Sequence, residues 1–204
     1  MGTRRLLGID RSGPPPPETL PGRPLNPWTV PNAIGFVRLA LIPVFAAVAL
    51  SSRHGRAAPA AVLFAVIGGS DYLDGVVARA TGQYSRLGVL MDPLTDRLLV
   101  AAGVVVCWSF DLLPRWALAV LLGRELVMLA ATQFGLSRGI DLRVSMLGRL
   151  AVWPTMLSLF LAMVVAIWVS EALLYVGLAG ALAASARYIA DGVVALRERP
   201  SSSA

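Results

Sequence analysis

Long apolar stretches separated by short polar breaks run through almost the whole of this 204-residue chain. The first covers about residues 34–51 and contains Arg38; a loop at 52–57 then carries Arg53, His54 and Arg56. The second starts near Pro59, is apolar to Ile67, meets Gly68, Gly69 and Ser70, and continues to about Arg79. Gly82, in the polar turn at residues 81–86, is the expected helix stop. The third stretch covers about 87–110, polar in its first half and Val-rich in its second. The fourth covers about 116–134, the fifth about 148–169 with a kink expected at Pro154, and the sixth about 171–196. Each approaches the roughly 20 residues that span a bilayer as a helix. The pattern predicts an all-α polytopic membrane protein, a bundle of six transmembrane helices. Residues 26–32 form an interfacial lead-in whose Trp28 sits at headgroup level. Residues 1–27, with Pro14 to Pro17, read as a disordered Pro-rich arm without the apolar core of a secretory leader. Residues 28–197 form one membrane domain and 198–204 a flexible tail.

Composition strengthens this reading. Hydrophobic residues make up 56% of the chain and charged residues only 15%, where a soluble domain carries about 25% charge. The net charge of +6 comes from 18 basic residues, all Arg. They are scattered, with no basic stripe, which argues against nucleic acid and for anionic lipid or phosphate. Cys107 is alone, so no intrachain disulfide forms, and its apolar surroundings mark it as a small buried residue. His54 is the only histidine, which excludes a His-based metal site. Six spans put both termini on one side. That side collects Arg4, Arg5, Arg11, Arg23, Arg86, Arg138, Arg143, Arg197 and Arg199, against Arg53, Arg56 and Arg115 opposite. The excess predicts cytoplasmic termini in a cell membrane, with the turn at Gly82 also cytoplasmic.

The polar residues inside the second and third stretches need a chemical reason. Asp71, Asp74 and Ala78 lie at i, i+3 and i+7, on one helix face. Asp92 and Asp96 lie at i, i+4 on the next helix, one turn after Gly88. The short turn makes the two helices antiparallel neighbours, so all four carboxylates can meet. A central Asp costs about 2.5 to 3.5 kcal/mol on insertion scales, and mutual repulsion adds to that. Arg79 and Arg97 cannot neutralise four. A carboxylate set without His or Cys selects hard divalent cations, Mg²⁺ or Mn²⁺, and Mg²⁺ shares phosphate oxygens. Gly75 and Gly88 leave bare backbone where a nucleotide or a partner helix could approach.

The spacing Asp71-x2-Asp74-Gly75-x2-Ala78-Arg79-x8-Gly88-x3-Asp92-x3-Asp96 resembles, at every fixed position, the signature of the CDP-alcohol phosphatidyltransferase family. The resemblance covers about residues 28–195. Val30 to Leu39 and Gly123-Arg124-Glu125 are most similar to the phosphatidylglycerophosphate synthase branch; Gln83 to Gly88 and Asp96-Arg97 also resemble the cardiolipin synthases. The resemblance implies that Asp71, Asp74 and Asp92 coordinate two metal ions. It implies that Asp96 is the general base and also touches metal. It places the CDP moiety on Asp74, Gly75, Ala78, Arg79 and Gly88, with Ser85, Pro31 and Asn32 as lesser candidates. It also implies a homodimer, and transfer of a phosphatidyl group from CDP-diacylglycerol to an alcohol with release of CMP.

Arg38, Arg124, Arg149 and Arg187 sit in or at the ends of spans. If they converge, they would hold an acceptor phosphate by bidentate hydrogen bonds, as a phosphorylated small alcohol such as glycerol 3-phosphate requires. The competing expectation is pairing within the bundle, Arg124 with Glu125 and Arg187 with Asp191. The absence of a Lys/Thr-rich pattern at residues 144–149 leaves phosphatidylglycerol, the acceptor of a cardiolipin synthase, as the alternative. Remoter readings are a divalent-cation transporter, against which the Asp set forms no ladder across the bilayer, and an intramembrane prenyltransferase, which would carry two separated Asp-rich motifs.

Overall fold

The computed structural model describes residue 24, residues 26–137 and residues 146–197, without the side chains of 129, 132–150 and 191–197. The arm expected at 1–27, but for residues 24, 26 and 27, and the tail at 198–204 lie outside the described residues. So does the polar connection at 138–145. Among the described residues there are six helices and no strand: α1 Val30–Leu50, α2 Ala58–Thr81, α3 Arg86–Ser109, α4 Arg115–Ser137, α5 Met146–Val164 and α6 Trp168–Arg197.

Local chemistry explains the ends. Thr29 caps α1 by accepting from the Asn32 backbone N–H at 3.3 Å, and Pro31 fits the first turn, where no donor is needed. α2 stops at Gly82, whose φ of 67° is left-handed and costs glycine nothing. One boundary differs from expectation. The fifth helix ends at Val164 rather than near 169, and the sixth starts at Trp168 rather than 171. Residues 165–167 carry no glycine or proline to signal a break. β-Branched Val164, Val165 and Ile167 lower the local helix preference, and the Ser170 hydroxyl donates to the Ile167 carbonyl at 2.6 Å as the chain turns. α1, α3 and α5 run through Pro43, Pro93 and Pro154.

Among the described residues, three helices are long and apolar enough to cross a membrane: α1, α2 and Trp168–Ala190 of α6. The apolar stretch of α5, Ala151–Val164, is shorter, and α3 interrupts its apolar residues with Asp92, Asp96 and Arg97. Burial is inverted relative to a soluble protein. Val37, Val44, Val62 and Val66 are exposed while Asn32, Arg38, Asp74, Ser85 and Thr95 are buried. Side chains that water would hide face outward, and polar ones find partners inside, as hydrocarbon surroundings demand. The chain is a membrane protein.

The chain divides into two compact units, Met1–Val106 and Cys107–Ala204. In the first, α1 and α2 form an antiparallel pair around Ile42, Phe45, Phe64 and Ile67, with the Phe45 and Phe64 rings 5.4 Å apart. α3 lies alongside both. Gly35 of α1 faces Met91, and Gly68 of α2 faces Leu99. In the second, α5 and α6 are antiparallel and closely apposed. A Cβ on Gly177 would stand 2.9 Å from the Thr155 backbone nitrogen, and one on Gly180 would stand 3.1 Å from the Ala151 Cβ. Small residues there let the two backbones meet, the usual basis of helix pairing without a hydrophobic driving force.

Candidate active site

The site is built on three helices of the first unit. Asp71 and Asp74 share a face of α2 near its C-terminal end, and α3 returns antiparallel to it after the turn at Gly82. Asp71, Asp74 and Asp92 each place a carboxylate oxygen within 4.8 Å of the others. Three carboxylates with no nitrogen or sulfur donor suit a hard divalent cation, so this cluster could hold a metal ion. Asp96 lies one turn beyond Asp92 and joins the cluster through a cation. The Arg38 guanidinium donates from Nη1 to Asp71 Oδ1 at 2.9 Å and to Asp74 Oδ2 at 3.0 Å, and from Nη2 to Asp96 Oδ1 at 3.1 Å. Its Nε donates to the Ile67 carbonyl at 3.1 Å. Arg38, read from the sequence as a ligand for an acceptor phosphate, is instead buried among the acidic residues.

Beside the cluster opens a cleft of about 180 Å³. Pro31, Asn32, Asp74, Gly75, Ala78, Arg79, Ser85 and Gly88, the residues expected around the CDP moiety, all line it. So do Asp92, expected as a metal ligand, and Gly35, Gln83, Tyr84, Val89 and Met91, none of which was expected in the site. The cleft places a polar wall of α2 and α3 against the first turn of α1.

Two of these residues hold the frame. Asn32 donates from Nδ2 to the carbonyls of Asn26 and Pro27 at 2.9 and 3.1 Å, and its Oδ1 accepts from the Ser85 hydroxyl at 2.7 Å. Both amide hydrogens are thereby used. Ser85 caps α3 as well, its Oγ accepting from the Gly88 N–H at 3.0 Å. The Gln83 side chain accepts from the Val30 N–H at 3.0 Å, so the turn between α2 and α3 also satisfies the start of α1. Gly88 is bare because Asn32 and Ser85 crowd it. A Cβ there would stand 2.9 Å from Asn32 Oδ1 and 3.2 Å from Ser85 Oγ. Gly75 makes room for a side chain of its own helix, since a Cβ would stand 3.3 Å from Arg79 Nη1. Gly88→Ala is therefore expected to separate Asn32 from Ser85, with a loss of stability of about 1–3 kcal/mol. Thermal unfolding of the purified protein in detergent checks it; an unchanged midpoint would show that the latch gives way without cost.

The remaining arginines lie in the second unit. Arg124 donates from Nε to Ser185 Oγ at 2.8 Å and from Nη1 to Glu125, the pairing within the bundle that the sequence allowed. Arg187 is exposed. It stands two residues beyond Ser185, roughly 200° round α6, so it does not converge with Arg124. The side chains of Arg149 and Asp191 lie outside those described.

Comparison with known proteins agrees with this geometry. A family model described as CDP-alcohol phosphatidyltransferase matches residues 28–195. A Mycobacterium tuberculosis protein provisionally named a cardiolipin synthase is 37% identical over 131 residues, 64% of this chain and 62% of the relative. The Bacillus subtilis CDP-diacylglycerol–glycerol-3-phosphate 3-phosphatidyltransferase is 29% identical over 143 residues, 64% of this chain and 74% of that one. The Streptomyces coelicolor cardiolipin synthase (CMP-forming) is 39% identical over 104 residues, 50% of this chain and 48% of that one. The chain thus matches about three-fifths of the mycobacterial relative's length and about half of the Streptomyces one's.

Proposed function

The chain belongs to the CDP-alcohol phosphatidyltransferase family, and from that premise we propose that it moves the phosphatidyl group of CDP-diacylglycerol onto glycerol 3-phosphate, releasing CMP. The observation that carries this reading is the junction of the acidic trio with the cleft: Asp74 and Asp92 belong to both. A pyrophosphate beside a carboxylate-bound cation and a nucleotide in the adjoining cleft would fit that junction. Asp71, Asp74 and Asp92 would hold Mg²⁺ or Mn²⁺, which when bound neutralises the pyrophosphate and stabilises the leaving CMP.

The residues of the chain supply the rest. Asp96 has one oxygen engaged by Arg38, and its side chain is 38% exposed. It takes the proton of the acceptor hydroxyl as that oxygen attacks phosphorus and the bond to CMP breaks. Gly75, Ala78 and Arg79 form the nucleotide wall, while Asn32 and Ser85 hold that wall to α1. Residues 28–197 act as one membrane domain of six spans in a homodimer. The acyl chains stay in the bilayer, and the termini and active site face the cytoplasm, where nucleotide and acceptor are.

A second reading, phosphatidylglycerol as acceptor, is favoured by the commitment of Arg38 and Arg124 to acidic partners, which removes two of the arginines expected to hold an acceptor phosphate. It is favoured too by the relatives named as cardiolipin synthases. Purified protein with CDP-diacylglycerol and Mg²⁺ or Mn²⁺, given each acceptor in turn, decides between them by CMP release. Glycerol 3-phosphate is expected to support turnover at least about tenfold above phosphatidylglycerol, a difference of about 1.4 kcal/mol at the transition state. The reverse order establishes the second reading, and no release with either overturns both.

A further inference from the structure

The Arg38 side chain is 2% exposed, whereas those of Asp71 and Asp96 are 42% and 38% exposed. The arginine thus forms the floor of the carboxylate cluster, and Asp71 and Asp96 form its mouth. A guanidinium has five N–H donors, and Arg38 uses four of them, on Ile67, Asp71, Asp74 and Asp96. The one left cannot make the paired bonds with which arginine grips a phosphate. Each of the three carboxylates meets Arg38 through a single oxygen, so Arg38 leaves the second oxygen of each to other partners.

We propose that Arg38 is the built-in counter-cation of this site. It offsets the charge of Asp71, Asp74 and Asp96 before a divalent ion arrives, and it remains on the floor afterwards, holding Asp96 for proton transfer. The inference rests on the reaction proposed above for its catalytic part, and makes Arg38 a positioning residue rather than an acceptor ligand. Without it, like charges crowd one another away from bulk water, and breaking a buried pair by removing one partner is strongly destabilising. A lysine restores the charge but not the planar fork, so it cannot reach three carboxylates and a carbonyl in the same way.

The test uses the full chain in detergent, with Arg38→Gln and Arg38→Lys. After chelation of metals, R38Q is expected to unfold about 5 °C or more below wild type. Adding Mn²⁺ should raise its midpoint about twice as far as that of wild type, the added ions replacing the counter-charge that Arg38 supplied. R38K should recover most of the metal-free midpoint. This arm needs neither donor lipid nor acceptor, so it stands even if no acceptor supports CMP release. A metal-free R38Q as stable as wild type overturns the counter-cation. In the kinetic arm, at saturating Mn²⁺, both variants should lose about 100-fold or more in kcat, with acceptor KM changed less than about threefold. Wild-type kcat in R38K, or in R38Q, would mean that Arg38 only fills the site until cations displace it. A tenfold rise in acceptor KM with kcat retained would mean that it grips the acceptor. Either result overturns the positioning role. Should R38Q not fold, R38K carries both arms: a midpoint near wild type with kcat lost supports the proposal, and loss of both or of neither overturns it.

Discussion

Asp96→Asn is expected to lower phosphatidyl transfer by about 10²- to 10⁴-fold, the usual contribution of a general base. The substitution isolates proton transfer. Asparagine has nearly the volume of aspartate and keeps a carbonyl oxygen to accept the Arg38 Nη2 hydrogen bond that Asp96 Oδ1 now accepts at 3.1 Å. What it loses is the ability to take a proton from an attacking hydroxyl. Asp96 also stands apart from the trio whose oxygens lie within 4.8 Å of one another. Binding of Mn²⁺, followed by the electron paramagnetic resonance of the free ion, should therefore change by less than about tenfold, below what loss of a ligand costs. Retention of a CDP-diacylglycerol analogue should be similar to wild type. Near-normal CMP release would remove Asp96 as the base, and a collapse of Mn²⁺ binding would make it a ligand first.

Asp92→Asn should give the opposite split. Arg38 bonds to Asp71, Asp74 and Asp96, so Asp92 is the member of the trio that can change without releasing one of those bonds. Loss of outer partners of metal ligands already weakens affinity by about 10- to 100-fold. Loss of a ligand's charge should thus weaken Mn²⁺ binding by at least about 100-fold, with turnover falling below detection at ordinary metal concentrations. The metal-free protein should be no less stable than wild type, since one charge has left a crowded acidic cluster. That combination separates a ligand from a scaffold residue. Unchanged Mn²⁺ affinity would place the cation site elsewhere; a metal-free midpoint several degrees lower would make Asp92 part of the frame.

Much of the site was legible because its logic is one of spacing. Asp71 and Asp74 on one helix, and Asp92 on the next after a short turn, could meet only if α2 and α3 were antiparallel, and Gly82 marked that turn. The lengths of the apolar stretches and the polar breaks between them placed the first four helices to within a few residues. The break at residues 165–167 escaped notice because β-branched residues bias a helix without forbidding it, and the hydrogen bond from Ser170 back to Ile167 leaves no mark in the hydrophobic pattern. Arg38 was visible as a charge in an apolar run, but its partners lie 33 to 58 residues away. No local pattern says whether such an arginine meets a substrate or an acid of its own chain. Gly88 shows the same limit. It was read as bare backbone for a nucleotide or a partner helix; it lines the cleft, and the groups that crowd it are Asn32 of α1 and Ser85, whose contact depends on the tertiary fold.

The position of Arg38 in the chain bears on how the protein is made. α1 is synthesised ahead of α2 and α3, so Arg38 leaves the ribosome before Asp71, Asp74 and Asp96 do. An unpaired arginine near the middle of a span costs about 2.5 to 3.5 kcal/mol on insertion scales. α1 is the most apolar of the three helices able to cross a membrane, and that surplus carries the charge through the interval. The first helix is thus overbuilt for its own insertion, and the acids of α2 and α3 are drawn to a cation already waiting for them.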